Sequence, residues 1–192
     1  MIGTARCKGS ILVHLKSYVV TTHGERAWEQ MLAESSPEDR AVHDSLVIAG
    51  GWYPVRVWNH ALEHLLTRHS GVRTADDEMR RVAAYIADRD LNSVYKMVLR
   101  LGSPEFLLKR TDSLWSRYFD LGKFGSEEVG ARRWKLWLDC PRGEDVPDRF
   151  TCDPGVCAWI EMGLKNTGVN GTLKHTDCRF MNGSRCEYAV SW

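Results

Sequence analysis

The chain closes on "HTDCRFMNGSRCEYAVSW", residues 175–192, and this stretch decides the second half of the fold. It places an Asn-Gly pair between two segments that fit β-strands, which is typical of a hairpin. A three-residue loop at 181–183, a type I turn ending in glycine, suits that pair. The odd loop length sets the register, because a two-residue turn would put the two cysteines on opposite faces. The facing pairs are then Phe180 with Ser184 and Cys178 with Cys186.

Two cysteines that face each other across a hairpin can form a disulfide, share a metal ion, or fill a core as small apolar groups. The chain has six cysteines: Cys7, Cys140, Cys152, Cys157, Cys178 and Cys186. In a reducing compartment such a set is more often reduced, buried or metal-bound than crosslinked. The disulfide is therefore the least favoured of the three, and simple burial remains the plain alternative to a metal.

A structural zinc site needs four ligands, and zinc prefers sulfur and imidazole nitrogen. His175 lies three residues before Cys178, so a bulge or a strand end between them is required to turn both the same way. Cys152, at the start of the last helix, is the best candidate for the fourth ligand. Cys157 competes with it, but it lies about 140° around a helix from Cys152, so both cannot face one ion.

Ahead of this hairpin the pattern predicts a β-pair and one helix. In "RRWKLWLDC" the residues Trp134, Leu136 and Leu138 alternate with polar ones, as in a half-buried strand. The preceding "GKFGSEEVG" is its expected hairpin partner. "DRFTCDPGVCAWIEMGLKNTG" has apolar residues at helical spacing and ends at Gly168.

The first 118 residues are predicted to be mainly helical. Helix starts are expected at Ser10, at Ser36-Pro37 and at Ser103-Pro104, where a hydroxyl can cap the first turn. Apolar residues at helical spacing mark the buried faces: Trp58, Ala61, Leu62, Leu65 and Leu66; Met79, Val82, Ala83 and Ile86; Leu91, Val94, Tyr95 and Val98; Phe106, Leu107, Leu114, Trp115 and Tyr118.

This order of elements predicts an α+β fold, with a helical N-terminal part packed on a small antiparallel sheet and a closing C-terminal β-hairpin. We expect a single domain over residues 1–192, in which 1–118 are mainly helical and 119–192 hold the sheet, one helix and the zinc hairpin. Eight tryptophans in 192 residues are many, and they are suited to lining an internal cavity.

Composition excludes several classes of partner. With 26 basic and 25 acidic residues, the formal net charge is +1, which gives no basic excess for nucleic acid. The longest apolar run, "SILVHLKSYVVTT", contains His14 and Lys16 and is too polar to span a bilayer. No signal-peptide pattern is visible, so we expect a cytoplasmic protein.

The spacing Cys152, His175, Cys178 and Cys186 resembles the zinc site of 4-vinyl reductase domains, which include the sensory domains of phenol-responsive activators. Those sensors use cysteine, glutamate, cysteine and cysteine at the same spacings, so His175 stands where the family has glutamate. The resemblance implies a structural zinc held by three thiolates and an imidazole. It also implies a ligand-binding α+β fold, often dimeric, with a cavity between helices and sheet.

The front of the chain carries a second resemblance. Residues 8–32, "KGSILVHLKSYVVTTHGERAWEQML", are similar to the opening of haem–nitric-oxide-binding domains, which share a superfamily with 4-vinyl reductase and TRAPP-subunit domains. The whole chain resembles an uncharacterised myxobacterial family with the same Lys-Gly-Ser start, Trp-Tyr-Pro loop and closing hairpin. Relatives in this superfamily bind phenols, acyl chains, tetrapyrroles or haem.

Haem itself is not expected from the sequence. The Tyr-x-Ser-x-Arg signature of the haem-binding relatives is missing, and "WSRYF" at 115–119 does not match it. His60 and His64 are four residues apart and could bind a metal, but they lie beside the apolar stripe and are expected to be solvated. We find no nucleophile elbow, phosphate-binding loop or dinucleotide fingerprint, so no enzyme is predicted.

The sequence thus predicts a non-catalytic, sensor-like module with structural zinc and an apolar or aromatic small-molecule ligand, whose ligand-binding residues are unknown. The alternative is a dimeric protein-interaction adaptor without such a ligand, and a haem-based gas sensor ranks lower. The chain ends at Trp192 with no fused output domain, so a sensor of this kind needs a separate partner or a second copy.

Overall fold

A computed structural model describes residues 5–69, 74–93, 102–143 and 145–192. It has the predicted α+β architecture, with helices first, a small antiparallel sheet, and a hairpin at the end. The helices are α1 (Gly9–His23), α2 (Glu25–Glu34), α3 (Pro37–Asp44), α4 (Val55–His64), α5 (Ala75–Ser93), α6 (Pro104–Leu108), α7 (Thr111–Trp115) and α8 (Val156–Asn166). The strands are β1 (Arg6–Lys8), β2 (Trp52–Pro54), β3 (Lys123–Gly130), β4 (Arg133–Asp139), β5 (Thr172–Asp177) and β6 (Cys186–Ser191).

Capping hydroxyls start two of the helices as predicted. Ser36 Oγ accepts from Asp39 N at 3.2 Å at the start of α3, and Ser103 Oγ accepts from Phe106 N at 3.3 Å at the start of α6. Each cap satisfies one of the free N–H groups of a first helical turn. The prediction for Ser10 is wrong, because α1 begins one residue earlier, at Gly9, and the chain enters it from strand β1.

Two other helix predictions need correction. The segment 103–119, expected as one helix, forms α6 and α7, separated by a turn at Lys109 and Arg110. The stripe of Leu91, Val94, Tyr95 and Val98 is covered only in part. Helix α5 runs through Ser93, and Val94, Tyr95 and Val98 lie outside the described residues.

Strands β3 to β6 form one antiparallel sheet in the order β3-β4-β6-β5. The alternation predicted for β4 is confirmed, since Trp134, Leu136 and Leu138 are buried and their neighbours face outward or are half-buried. Strand β3 is its hairpin partner, as expected. Strands β1 and β2 form a separate two-stranded sheet beside α1 and α4.

The closing hairpin forms, but its loop is longer than predicted, and neither predicted pair, Phe180–Ser184 or Cys178–Cys186, is among its strand pairs. His175 pairs with Tyr188 and Asp177 with Glu187, so one extra residue is accommodated between the two pairs. This is the bulge that the spacing of His175 and Cys178 required. Strand pairing ends at Asp177, and residues 178–185 form the connection in place of the predicted three-residue loop.

The helices bury their apolar faces against one another and against the sheet. Helix α5 packs on α1 and α8, and α8 packs on β5. The core runs from Leu12 and Leu15 of α1 through Leu136 of β4 to Tyr188 of β6. Within the described part of the chain, no helix is long and apolar enough to cross a membrane.

Candidate ligand cavity and cysteine cluster

A cavity of about 90 Å³ lies where the helices meet the sheet. Helices α1, α4, α5, α7 and α8 contribute to its wall, together with strand β3 and the irregular turn Thr151–Gly155 that precedes α8. Its surface is almost entirely apolar, and three of the eight tryptophans reach it. The lining residues are Ile11, Trp58, Met79, Ala83, Ile86, Thr111, Leu114, Trp115, Tyr118, Phe119, Phe124, Thr151, Gly155, Val156, Trp159 and Ile160.

The apolar stripes read from the sequence supply part of this wall. Met79, Ala83 and Ile86 lie on one face of α5, and Trp58 projects from α4. Each belongs to a stripe that was predicted to be buried. The stripe on α4 continues into a helical turn at Leu65–His69, where Leu65 and Leu66 are also buried.

The segment Trp115–Phe119 supplies another part of the wall. Trp115, Tyr118 and Phe119 all line the cavity, and the rings of Trp115 and Phe119 pack 4.5 Å apart. Trp115 and Tyr118 belong to a stripe that was predicted to be buried, whereas Phe119 was not singled out. Helical spacing predicts that such residues are buried, but it does not show that they line a cavity.

A buried hydrogen bond and a glycine shape the floor of the cavity. Trp58 Nε1 donates to Thr151 Oγ1 at 2.9 Å and so ties α4 to the turn before α8. In that turn Gly155 faces Met79, where an added Cβ would lie 2.6 Å from Met79 Cε. Glycine is required there, because an added Cβ would also lie 2.8 Å from the Phe150 backbone carbonyl oxygen, which cannot move aside as a side chain can.

Neither histidine considered for haem ligation reaches the cavity. His60 Nδ1 lies 2.6 Å from Asp39 Oδ2, and its side chain is half exposed. His64 Nδ1 lies 3.6 Å from Glu34 Oε2. Asp39, which is 2% exposed, is also paired with Arg56, so His60 belongs to a cluster that joins α3 to α4.

At the other end of the sheet, three of the four predicted metal ligands come together. One ligand atom from each of His175, Cys178 and Cys186 lies within 4.8 Å of the other two. His175 is oriented by Asp153, whose Oδ2 lies 2.9 Å from its Nδ1, and by Tyr188, on which the imidazole stacks at 4.8 Å. The bulge before Asp177 is what lets His175 and Cys178 face the same side.

Cys152, the fourth predicted ligand, is buried beside Cys186 but has an additional partner. The Arg179 Nη2 group donates to Cys152 Sγ at 3.4 Å. The Cys152 thiol itself hydrogen-bonds to Cys186, and this bond, together with His175, lowers the pKa of the Cys186 thiol. The same bond and burial raise the pKa of Cys152, so Cys152 is the member of the pair that keeps its proton.

The remaining cysteines have separate environments. Cys157 Sγ lies 3.6 Å from Asp153 Oδ1 and is not in the group around Cys186. The predicted angle around a helix does not explain this, because Cys152 lies in the irregular turn before α8 and not on the helix with Cys157. Cys140 is buried at the end of β4, and its carbonyl accepts from Arg179. None of the six cysteines forms a disulfide. That Cys152, His175, Cys178 and Cys186 ligate a metal stays a prediction.

No protein-family model matches the chain, and no curated protein sequence matches it. Solved structures do match, and H-NOX proteins are among them. An Fe(II) unliganded H-NOX protein from K. algicida is 13% identical, with a TM-score of 0.73 over 96% of this chain and 95% of that one. An H-NOX protein from S. oneidensis in the Fe(II)NO state is also 13% identical, with a TM-score of 0.73 over 96% and 98%. A third, solved in work on haem distortion in the H-NOX family, is 10% identical, with a TM-score of 0.71 over 96% and 94%.

The chain therefore has the fold of haem–nitric-oxide-binding domains, as its first 32 residues suggested. The same comparison overturns the expected cofactor, which was structural zinc with haem not expected. That prediction is wrong because the solved proteins that share this fold along its whole length are Fe(II) and haem proteins. It relied on ligand spacing and on one missing signature, whereas a cofactor-binding fold is decided by how helices and sheet enclose a cavity.

Proposed function

We propose that this chain is a sensor-like, ligand-binding module that holds an apolar, aromatic molecule in the cavity between the helices and the sheet. The observation that carries the proposal is the wall of this cavity, where Trp58, Trp115 and Trp159 stand among aliphatic side chains. Ligand sites of small molecules are typically apolar and aromatic cavities with a few placed polar groups. The H-NOX fold supports the same interpretation, since an H-NOX protein with this fold was solved in the Fe(II)NO ligation state.

The volume of the cavity limits the size of the ligand. An apolar cavity of about 150 Å³ in another protein stays dry and binds benzene. The cavity here, at about 90 Å³, suits a small aromatic molecule once a side chain such as Met79 shifts. Methionine is the side chain best able to do so, because it is unbranched and flexible.

Haem is a second candidate, favoured by the structures that share the fold. The apolar aromatic lining is of the kind that contacts a porphyrin face, but a cavity of about 90 Å³ is smaller than one that holds benzene and would have to enlarge greatly to admit the ring. Of the described lining residues, Met79 and Tyr118 are of types that ligate haem iron, and none is a histidine, a cysteine or a basic residue. Bound haem would supply an iron that takes up diatomic gases, and Met79 is the better ligand because burial raises the pKa of Tyr118 and keeps its phenol protonated.

We further propose that the module is not an enzyme and that it signals through a second copy or another protein. The described cavity wall carries no carboxylate, imidazole or thiol that could act as a base or nucleophile. A ligand held there can instead alter the packing of α5 against α1 and α8, which are all part of the wall or adjoin it.

The test is the ligand content of protein purified from cells supplied with a haem precursor. Native mass spectrometry reports any co-purifying small molecule. An absorption band near that of protein-bound haem would identify haem as the ligand. Purified protein is then titrated with naphthalene and with hemin while the melting temperature is recorded. A ligand that binds only the folded state must raise it.

Two outcomes would overturn the proposal. One is a folded protein that co-purifies with no small molecule and whose melting temperature responds to neither probe. The other is a stable complex with another protein, again without a small molecule, which would assign the chain the adaptor role instead.

A further inference from the structure

The polar groups in the cavity wall show which ligand chemistry it selects. Most of them already have partners within the protein. Thr111 Oγ1 donates to the Leu108 carbonyl at 3.1 Å, and Trp115 Nε1 donates to the Leu121 carbonyl at 2.8 Å. The Trp58 indole N–H donates to Thr151 Oγ1. These groups hold the wall together and are not available to a ligand.

Trp159 is different, because its indole Nε1 is buried and has no hydrogen-bond acceptor. A buried donor without a partner costs free energy, and few such donors remain in folded proteins. Trp159 lines the cavity from α8, and its ring stands edge-on to Tyr118 with the two centroids 5.8 Å apart. The residue that carries this unsatisfied N–H therefore also lines the cavity.

The Tyr118 phenol oxygen does not serve as the acceptor that the Trp159 N–H lacks. The Trp159 N–H lies close enough to lower the pKa of the Tyr118 phenol, yet it makes no hydrogen bond of proper geometry to it. Burial raises that pKa overall, and the nearby Asp90 carboxylate raises it further, so the phenol keeps its proton. Asp90 Oδ1 in turn lies 2.9 Å from His14 Nε2. The cavity wall therefore carries a neutral phenol at Tyr118.

From these contacts we infer that the cavity selects a neutral, apolar ligand that carries one hydrogen-bond acceptor, and that this acceptor receives the Trp159 N–H. This inference rests on the proposed function and names the ligand class for the same cavity. A neutral ligand is required because no described lining residue carries a charge to pair with an ionic group. A carbonyl or ether oxygen on a small aromatic molecule has the required chemistry.

The test uses two probes of nearly equal size, acetophenone and ethylbenzene, which differ by a carbonyl group. We expect the wild-type protein to bind acetophenone about tenfold more tightly, as measured by calorimetry or ligand-observed NMR. In Trp159→Phe the preference should vanish while ethylbenzene still binds. The control Trp137→Phe lies on β4 outside the cavity wall and should keep the wild-type preference.

A second readout does not depend on any variant's folding. In the wild-type protein, the NMR signal of the Trp159 indole proton should move downfield when acetophenone is added and hardly move with ethylbenzene. Equal affinity for the two probes, with no such shift, would overturn the inference and leave the cavity proposal intact. Binding of neither probe would count against both.

Discussion

Arg179 makes several hydrogen bonds that connect distant parts of the fold, and no pattern in the sequence singled it out. It lies in the hairpin connection and is 0% exposed. Its guanidinium donates to the carbonyls of Cys140, Pro141 and Pro147 and to Cys152 Sγ. Arginine presents five N–H donors in a rigid planar fork, whereas lysine presents three on a compact ammonium group. Arg179 thereby joins the hairpin connection to the end of β4 and to the turn before α8.

We predict that Arg179→Met lowers the free energy of unfolding by about 3 kcal/mol, because several buried acceptors lose their donor together. The matched control is Arg185→Met in the same connection. Arg185 is partly exposed and pairs with Glu187, so its loss should cost less than about 1 kcal/mol. Urea denaturation of both variants measures the difference, and equal losses would contradict the role given to Arg179.

A pH effect is expected from His43 on α3. Burial lowers its pKa from the usual value, and the imidazole packs edge-on against Trp28 at 5.2 Å. The nearby Asp39 carboxylate raises the pKa of His43, but burial lowers it by more. The folded state therefore favours neutral His43, and below a pH of about 6.5 the unfolded chain binds the extra proton. Stability from this residue is present at higher pH and is lost as the pH falls.

Denaturation curves at several pH values between about 7.5 and 5.5 check this, with His43→Phe as the comparison because it keeps an aromatic ring against Trp28. The wild-type protein should lose stability over this range more steeply than the variant. Parallel pH dependence in the two proteins would show that His43 is not responsible.

At the scale of elements, the closing hairpin shows what a pattern of residues can establish. The positions of His175 and Cys178 required a bulge, and the bulge is present between the pairs His175–Tyr188 and Asp177–Glu187. If the register of the pair Asp177–Glu187 continued, Cys178 would face Cys186 as predicted. Strand pairing, however, ends at Asp177, one residue earlier. The loop is longer than predicted, and it is held both by local bonds from Met181 N and Gly183 N to the Cys178 carbonyl at 3.0 Å and by the long-range contacts of Arg179.

The β3–β4 hairpin has a tight contact that depends on glycine. Gly125 pairs with Trp137 across the two strands, and an added Cβ would lie 2.1 Å from the Trp137 ring. We predict that Gly125→Ala destabilises the protein by about 1–3 kcal/mol, the usual cost of overpacking. Gly50→Ala is the control, since nothing lies within 4 Å of its added Cβ. Thermal denaturation of the two variants tests the contact, and equal melting temperatures would argue against it.

At the scale of the whole molecule, the cavity exists because helices from both halves of the sequence close over strand β3. Residues that line it lie as far apart in the chain as Ile11 and Ile160. We therefore predict that filling it from one helix blocks the proposed ligand. Ala83→Leu on α5 should abolish the rise in melting temperature with naphthalene or hemin, whereas Ala33→Leu on the exposed side of α2 should keep it. A full ligand response in Ala83→Leu would place the ligand elsewhere.

The sequence by itself determined the class of fold, the strand pairs β3–β4 and β5–β6, and the buried faces of most helices. Those features depend on local periodicity, as with Trp134, Leu136 and Leu138 on β4, or on capping residues such as Ser36 and Ser103. It also indicated that His175, Cys178 and Cys186 would meet, because a hairpin register is fixed by nearby residues.

Only the tertiary structure decided which of these residues form a ligand site. The inward turn of Tyr118 and Trp159, the buried position of Arg179, and the cavity itself arise from contacts between residues far apart in the chain. No local period encodes such contacts. For the same reason the ligand spacing misled the prediction of the cofactor, since the enclosing fold and not the spacing is shared with the H-NOX proteins.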